Sequence, residues 1–133
     1  MIAQTTLRSL PFVGEPFSYF RQLATDTRHA ILLESMDGDG INDVQSLLFV
    51  GCALVIEGRG DGVHLVAQNE NGRAALDALE PALARMAEMS RRQDAIDVKF
   101  APRARGGSDM QRLTAASTVD VLRLACQGWG RQG

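Results

Sequence analysis

The sequence predicts an α+β fold: an antiparallel sheet with a central β-hairpin, packed against two to three helices. Three observations lead there. From Val63 to Gln68, the side chains alternate, with Val63, Leu65 and Ala67 on one face and His64, Val66 and Gln68 on the other. That is the period of a half-buried strand. The glycine-rich Glu57-Gly58-Arg59-Gly60-Asp61-Gly62 joins this run to the apolar run before it, as a hairpin turn would. Leu76, Leu79, Leu83 and Met86 then recur at helical spacing.

Taken in order, Glu15-Pro16 opens a first helix, since proline suits the first turn. Phe17, Phe20, Leu23 and Ala24 share its apolar face, and Thr25 to Arg28 ends it. Ala30 to Glu34 reads as a short strand and Met36 to Asn42 as a polar loop. Gln45 to Ile56 reads as one long strand, bent near Gly51, because glycine inside a strand marks a bulge. Asn71-Gly72 starts a helix that runs to about Ser90, with Pro81 expected to kink it or begin a new turn. Ala95 to Phe100 is a strand, and Ala101 to Arg112 a loop rich in Pro, Gly and Arg. Ser117 with Asp120 resembles a capping box for a last helix, with Val121, Leu122 and Ala125 inward. Residues 128–133 read as a flexible tail, and residues 1–133 as a single domain.

Composition narrows the function. An apolar share of 45% can fill a core, and a net charge of -2 gives no global reason to bind nucleic acid or membrane. Seven of the fourteen basic residues do lie between Arg85 and Arg112, beside four acids, either as a solvated face or as a docking surface. The longest apolar stretch, Leu47 to Ile56, is about half of the ~20 residues that span a bilayer. The N-terminus lacks a signal-peptide pattern, so a cytoplasmic protein is expected. Cys52 and Cys126 match no zinc or redox spacing, and Cys52 reads as a buried reduced thiol. In a chain without an export signal, Arg59-Gly60-Asp61 carries little weight as an integrin motif.

Gly38-Asp39-Gly40-Ile41-Asn42-Asp43 resembles the magnesium loop of haloacid-dehalogenase-type phosphatases, and its aspartates also suggest a calcium loop. Calcium loops need oxygen ligands at positions 1, 3 and 5 and a glutamate at position 12. Counted from Asp37, those last two positions hold Ile41 and Leu48. The phosphatase reaction needs an aspartate nucleophile upstream and a lysine against the phosphate. No D-x-D-x-[TV] motif precedes Asp37, and Lys99 is the chain's one lysine. His29 and His64 have no partner at metal-ligand spacing, and His64 reads as a structural or surface histidine. No metal, cofactor or catalytic residue is therefore expected.

Leu32-Leu33-Glu34-Ser35, the polar loop, Ser46-Leu47-Leu48 and the hairpin resemble the N-terminal domain of anthranilate synthase component I. The resemblance runs from about Ala30 through Leu83 and continues more weakly to Leu124. It implies that family's fold and a regulatory pocket for tryptophan or a related aromatic amino acid. Leu33, Glu34 and Ser35 would line the pocket, and Gln45 stands where the family has a lysine. Glu34 can accept from the ligand's ammonium, whereas Ser35 and Gln45 can only donate to its carboxylate without charge. Weaker carboxylate binding, or a different ligand, follows. The family's chorismate-binding catalytic domain closes the pocket and has no counterpart in this sequence. The resemblance thus implies a non-catalytic sensor, closed in a homodimer, or an interaction subunit that completes a separate chorismate-using chain.

Overall fold

Gly51 divides what the sequence presents as one bent strand. Its φ is +74°, in the left-handed region that favours glycine. The strand before it ends at Val50 and the next begins at Leu54, in a different sheet. The expected bulge is therefore a strand break. The computed structural model describes residues 6–35, 45–101 and 116–129. The Gly38–Asp43 loop, most of the 101–112 loop and residues 130–133 lie outside the described residues.

Among the described residues the fold is α+β, with three helices and two antiparallel sheets. The order is α1 (Pro16–Ala24), β1 (Ala30–Ser35), β2 (Gln45–Val50), β3 (Leu54–Arg59), β4 (Gly62–Ala67), α2 (Glu70–Met86), β5 (Glu88–Arg91), β6 (Ala95–Lys99) and α3 (Thr118–Trp129). The chain forms two compact units, Thr5–Cys52 and Ala53–Gly133.

The larger unit holds a four-stranded sheet in the order β3-β4-β6-β5. Val63 and Leu65 of β4 and Ile96 and Val98 of β6 are buried in one cluster with Leu76, Leu79 and Leu83 of α2. Val121 and Ala125 of α3 complete it. The sequence expectation of the α2 stripe and of the β4 alternation is met at these positions. On α3 the inward set is Val121, Leu124 and Ala125, while Leu122 is exposed. Spacing of three and four, rather than one, keeps side chains on one face.

Three boundaries differ from expectation. Helix α2 starts at Glu70, because the Asn69 side chain accepts a hydrogen bond from the Gly72 amide at 3.1 Å. It then continues through Pro81 to Met86. Glu88–Arg91, expected as the helix end, is a strand paired with β6, and its Met89 packs on the core. Nothing in Glu-Met-Ser-Arg favours a strand locally, so pairing and burial decide it. At α3, the Ser117 amide and hydroxyl both donate to Asp120 Oδ2 at 2.9 Å, so Asp120 does fill the capping role. The helix reaches Trp129, into the segment expected as a tail.

The smaller unit is α1 with the β1–β2 hairpin. Its register runs from Ala30↔Val50 to Ser35↔Gln45. The Gly51 amide donates to the His29 carbonyl at 2.9 Å, which extends the ladder past the last strand pair. No described residue of this unit is buried.

Candidate functional site

The hairpin register sorts the expected binding residues onto two faces. Side chains two apart on a strand share a face, and so do directly opposed partners. Leu32 opposes Leu48, and Glu34 opposes Ser46. These four share the face on which Leu32, Ser46 and Leu48 line a cavity of about 640 Å³. Pro16, Tyr19 and Leu23 of α1 form its second wall, and Leu10, Pro11 and Phe12 its third. A volume in the range of ~300–1,000 Å³ is usual for small-molecule pockets.

The other face carries Ile31, Leu33, Leu47 and Phe49, each more than half exposed. Ser35 is on this face, and its backbone pairs with that of Gln45. Of the residues expected at the pocket, Glu34 therefore shares the cavity face, while Leu33 and Ser35 point to the other one. One ligand meeting all three would use backbone groups at some of them.

The polar end of the cavity face is a single pair. Ser46 Oγ donates to Glu34 Oε1 at 3.5 Å, a long contact that leaves the carboxylate open to a stronger donor. None of the described residues lining the cavity is charged. The lining offers apolar walls at Leu32, Leu48 and the Phe12 and Tyr19 rings, with the Ser46 hydroxyl as a polar group and the Glu34 carboxylate next to it. The sequence reading missed Ser46, Tyr19 and the Leu10-Pro11-Phe12 wall. Strand alternation could have placed Ser46 opposite Glu34. The N-terminal wall left no periodic signal.

A second polar group lies on the sheet of the larger unit. His64 Nδ1 is 2.6 Å from Asp97 Oδ1, and Arg92 Nη2 donates to Asp97 Oδ2 at 2.6 Å. His64 thus has a cross-strand carboxylate partner that sequence spacing concealed. Its hydrogen bond is the main cause holding the Asp97 carboxyl below its usual range; Arg92 adds to this and burial opposes it. Of the basic residues between Arg85 and Arg112, Arg92 is held by Asp97, and Arg91 by Asp77 at 2.7 Å and Glu80 at 3.9 Å. Arg103, Arg105 and Arg112 lie outside the described residues. Arg59 of the Arg-Gly-Asp turn pairs with Glu57 at 2.8 Å. Both cysteines are free; Cys52 is half-buried rather than buried, and Cys126 is exposed. Among the described residues, no group of three or more His, Cys, Asp or Glu could hold a metal. No described helix is long and apolar enough to cross a membrane.

No family model matches the chain. Several curated relatives named anthranilate synthase component 1 match the chain. The one from Escherichia coli (strain K12) is 36% identical over 109 residues, covering 82% of this chain and 21% of the relative. The one from Haemophilus influenzae is 27% identical over 121 residues, covering 90% of this chain and 23% of the relative. This chain thus spans about a fifth of the length of these two. The Citrobacter freundii sequence is 32% identical over 108 residues, covering 81% of this chain and 72% of that relative. With most of both sequences aligned in that last comparison, the chain belongs to the anthranilate synthase component 1 family.

Proposed function

We propose that this chain is a non-catalytic regulatory module that binds L-tryptophan or a related aromatic amino acid. Membership of the family supports a role in tryptophan biosynthesis. The observation that carries the binding reading is the cavity between α1 and the hairpin, apolar on its walls, with Ser46 in its lining and Glu34 beside Ser46 on the same strand face. An indole ring replaces water against Leu32 and Leu48, and the ligand ammonium replaces Ser46 as the partner of Glu34. Leu33, Ser35 and Gln45, next to Glu34 and Ser46 on the two strands, supply further groups at the hairpin end. The ligand then shifts the population of whichever conformation or assembly holds the closed pocket.

Isothermal titration with L-tryptophan tests this. Saturable heat at millimolar ligand or below is expected, and Glu34→Gln should reduce it. Absence of heat with tryptophan, phenylalanine and tyrosine alike would sink the reading.

A second reading is an interaction subunit that completes a separately encoded chorismate-using chain. The uncharged face formed by Ile31, Leu33, Leu47 and Phe49 favours it, because apolar patches of this kind mark interaction surfaces. The same face would serve a homodimer. Leu33→Glu should abolish co-purification with a chorismate enzyme on the interaction-subunit reading. Sedimentation that gives a monomer with and without tryptophan would rule out the homodimer.

A further inference from the structure

Residues 6–15 form neither helix nor strand, yet three of them wall the cavity. Leu10 is 79% exposed and Phe12 62% exposed, so each touches the fold along one side only. What holds them converges on one residue of α1. The Tyr19 hydroxyl donates to the Val13 carbonyl at 2.6 Å. The Tyr19 ring meets the Phe12 ring with centroids 5.2 Å apart, in a tilted arrangement. The chain then turns at Gly14, whose φ of +117° is a conformation that residues with a Cβ rarely adopt. Tyr19 and Phe12 are also both cavity walls.

We propose that residues 10–13 are a strap that closes over a bound aromatic side chain, with Gly14 as its hinge and Tyr19 as the positioning residue that clasps it. The proposal rests on the cavity being an amino-acid site. A neutral hydrogen bond shifts an equilibrium by only about 2- to 12-fold. Together with one ring contact, it leaves the strap closed but easily opened. A planar ligand against Phe12 adds contact that exists only in the closed state and so selects it. Closure also holds Leu10 and Phe12 against the cavity that Ser46 lines, where removal of water strengthens polar contacts to a ligand. The ligand class is therefore an aromatic ring carrying a cation, with the ring as the group that the strap reads.

The test uses the full chain, Tyr19→Phe and Gly14→Ala, with L-tryptophan and indole as separate probes. Nuclear magnetic relaxation of the amides of Leu10, Phe12, Val13 and Gly14 should show that either probe rigidifies the segment in the wild type. Tyr19→Phe keeps the ring and removes only the clasp. It should raise segment mobility without ligand and weaken both probes by about 2- to 12-fold. Gly14→Ala strains the hinge and should do the same while the hydroxyl remains. Unchanged mobility on ligand addition, or unchanged affinity in Tyr19→Phe, overturns the strap. Should indole bind and rigidify the segment while tryptophan does not, the amino-acid reading fails and the strap stands. If neither probe binds, both are overturned.

Discussion

Asp97 of β6 ties a neighbouring strand and the β5–β6 turn together through one carboxylate. It accepts from His64 of β4 and from Arg92, which lies between β5 and β6. Its folded pKa lies below the ordinary aspartate value of 3.8. A depressed carboxyl contributes stability that is present above the unfolded pKa and lost as pH falls through the folded one. Wild-type stability should therefore drop from about pH 5 downward. Asp97→Asn should be less stable at pH 7 and show a shallower acid loss. Urea denaturation across pH 2–7 checks this, and parallel curves for the two proteins would refute it. At the hairpin end the informative residue is Gln45. Where the resembled family has a lysine, this chain offers no charge to a ligand carboxylate. Charge-assisted hydrogen bonds are roughly twice as strong as neutral ones, so Gln45→Lys should tighten L-tryptophan binding about 5-fold or more in a titration. It should leave indole, which has no carboxylate, unaffected. The sequence singles out Glu34 because a local motif carries it, and its place on the cavity face of the hairpin follows from strand alternation. It gives no such signal for Tyr19 and Phe12, because their place at the cavity comes from packing against a hairpin that lies farther along the chain.

At the scale of elements, legibility followed burial. The β3–β4 hairpin and the α2 stripe bury one face each, so alternation and helical spacing are written directly into Val63, Leu65, Leu76 and Leu83. Two features left no such mark. Gly51 sits in an apolar run that continues on both sides, and its backbone conformation, rather than hydropathy, ends the strand. Glu88–Arg91 became a strand because β6 offers an edge and Met89 finds the core. The start of α2 departs from the sequence expectation for a simpler reason: Asn69 and Asn71 can each cap, and Asn69 does. Its side chain satisfies an amide that the first turn would otherwise leave unpaired. Asn69→Ala should therefore destabilise the fold by about 0.5–2 kcal/mol. Asn71→Ala should change little. Equal effects of the two in thermal or urea unfolding would contradict the assigned cap.

Across the whole molecule, hydrophobic burial is divided unequally between the two units. Every buried apolar side chain among the described residues belongs to Ala53–Gly133. Eleven of the thirteen exposed large hydrophobics among them belong to Thr5–Cys52. A two-stranded hairpin with one short helix is marginal in water without a buried face. Fully burying a leucine or phenylalanine is worth about 1.5–3 kcal/mol, and the smaller unit gains little of this. It should be the first part of the chain to open, which is where binding regions and their closing segments are commonly found. Amide exchange should therefore separate the units. The β4 and β6 amides should exchange only by global unfolding, and the β1 and β2 amides at a lower free energy. L-Tryptophan bound at the cavity should raise protection in β1 and β2 selectively, since it stabilises only states in which that unit is formed. A fragment of residues 53–133 should keep a cooperative unfolding transition, and one of residues 5–52 should show none. Uniform protection of all four strands, or a cooperative transition in the 5–52 fragment, would show that the smaller unit is not the labile part.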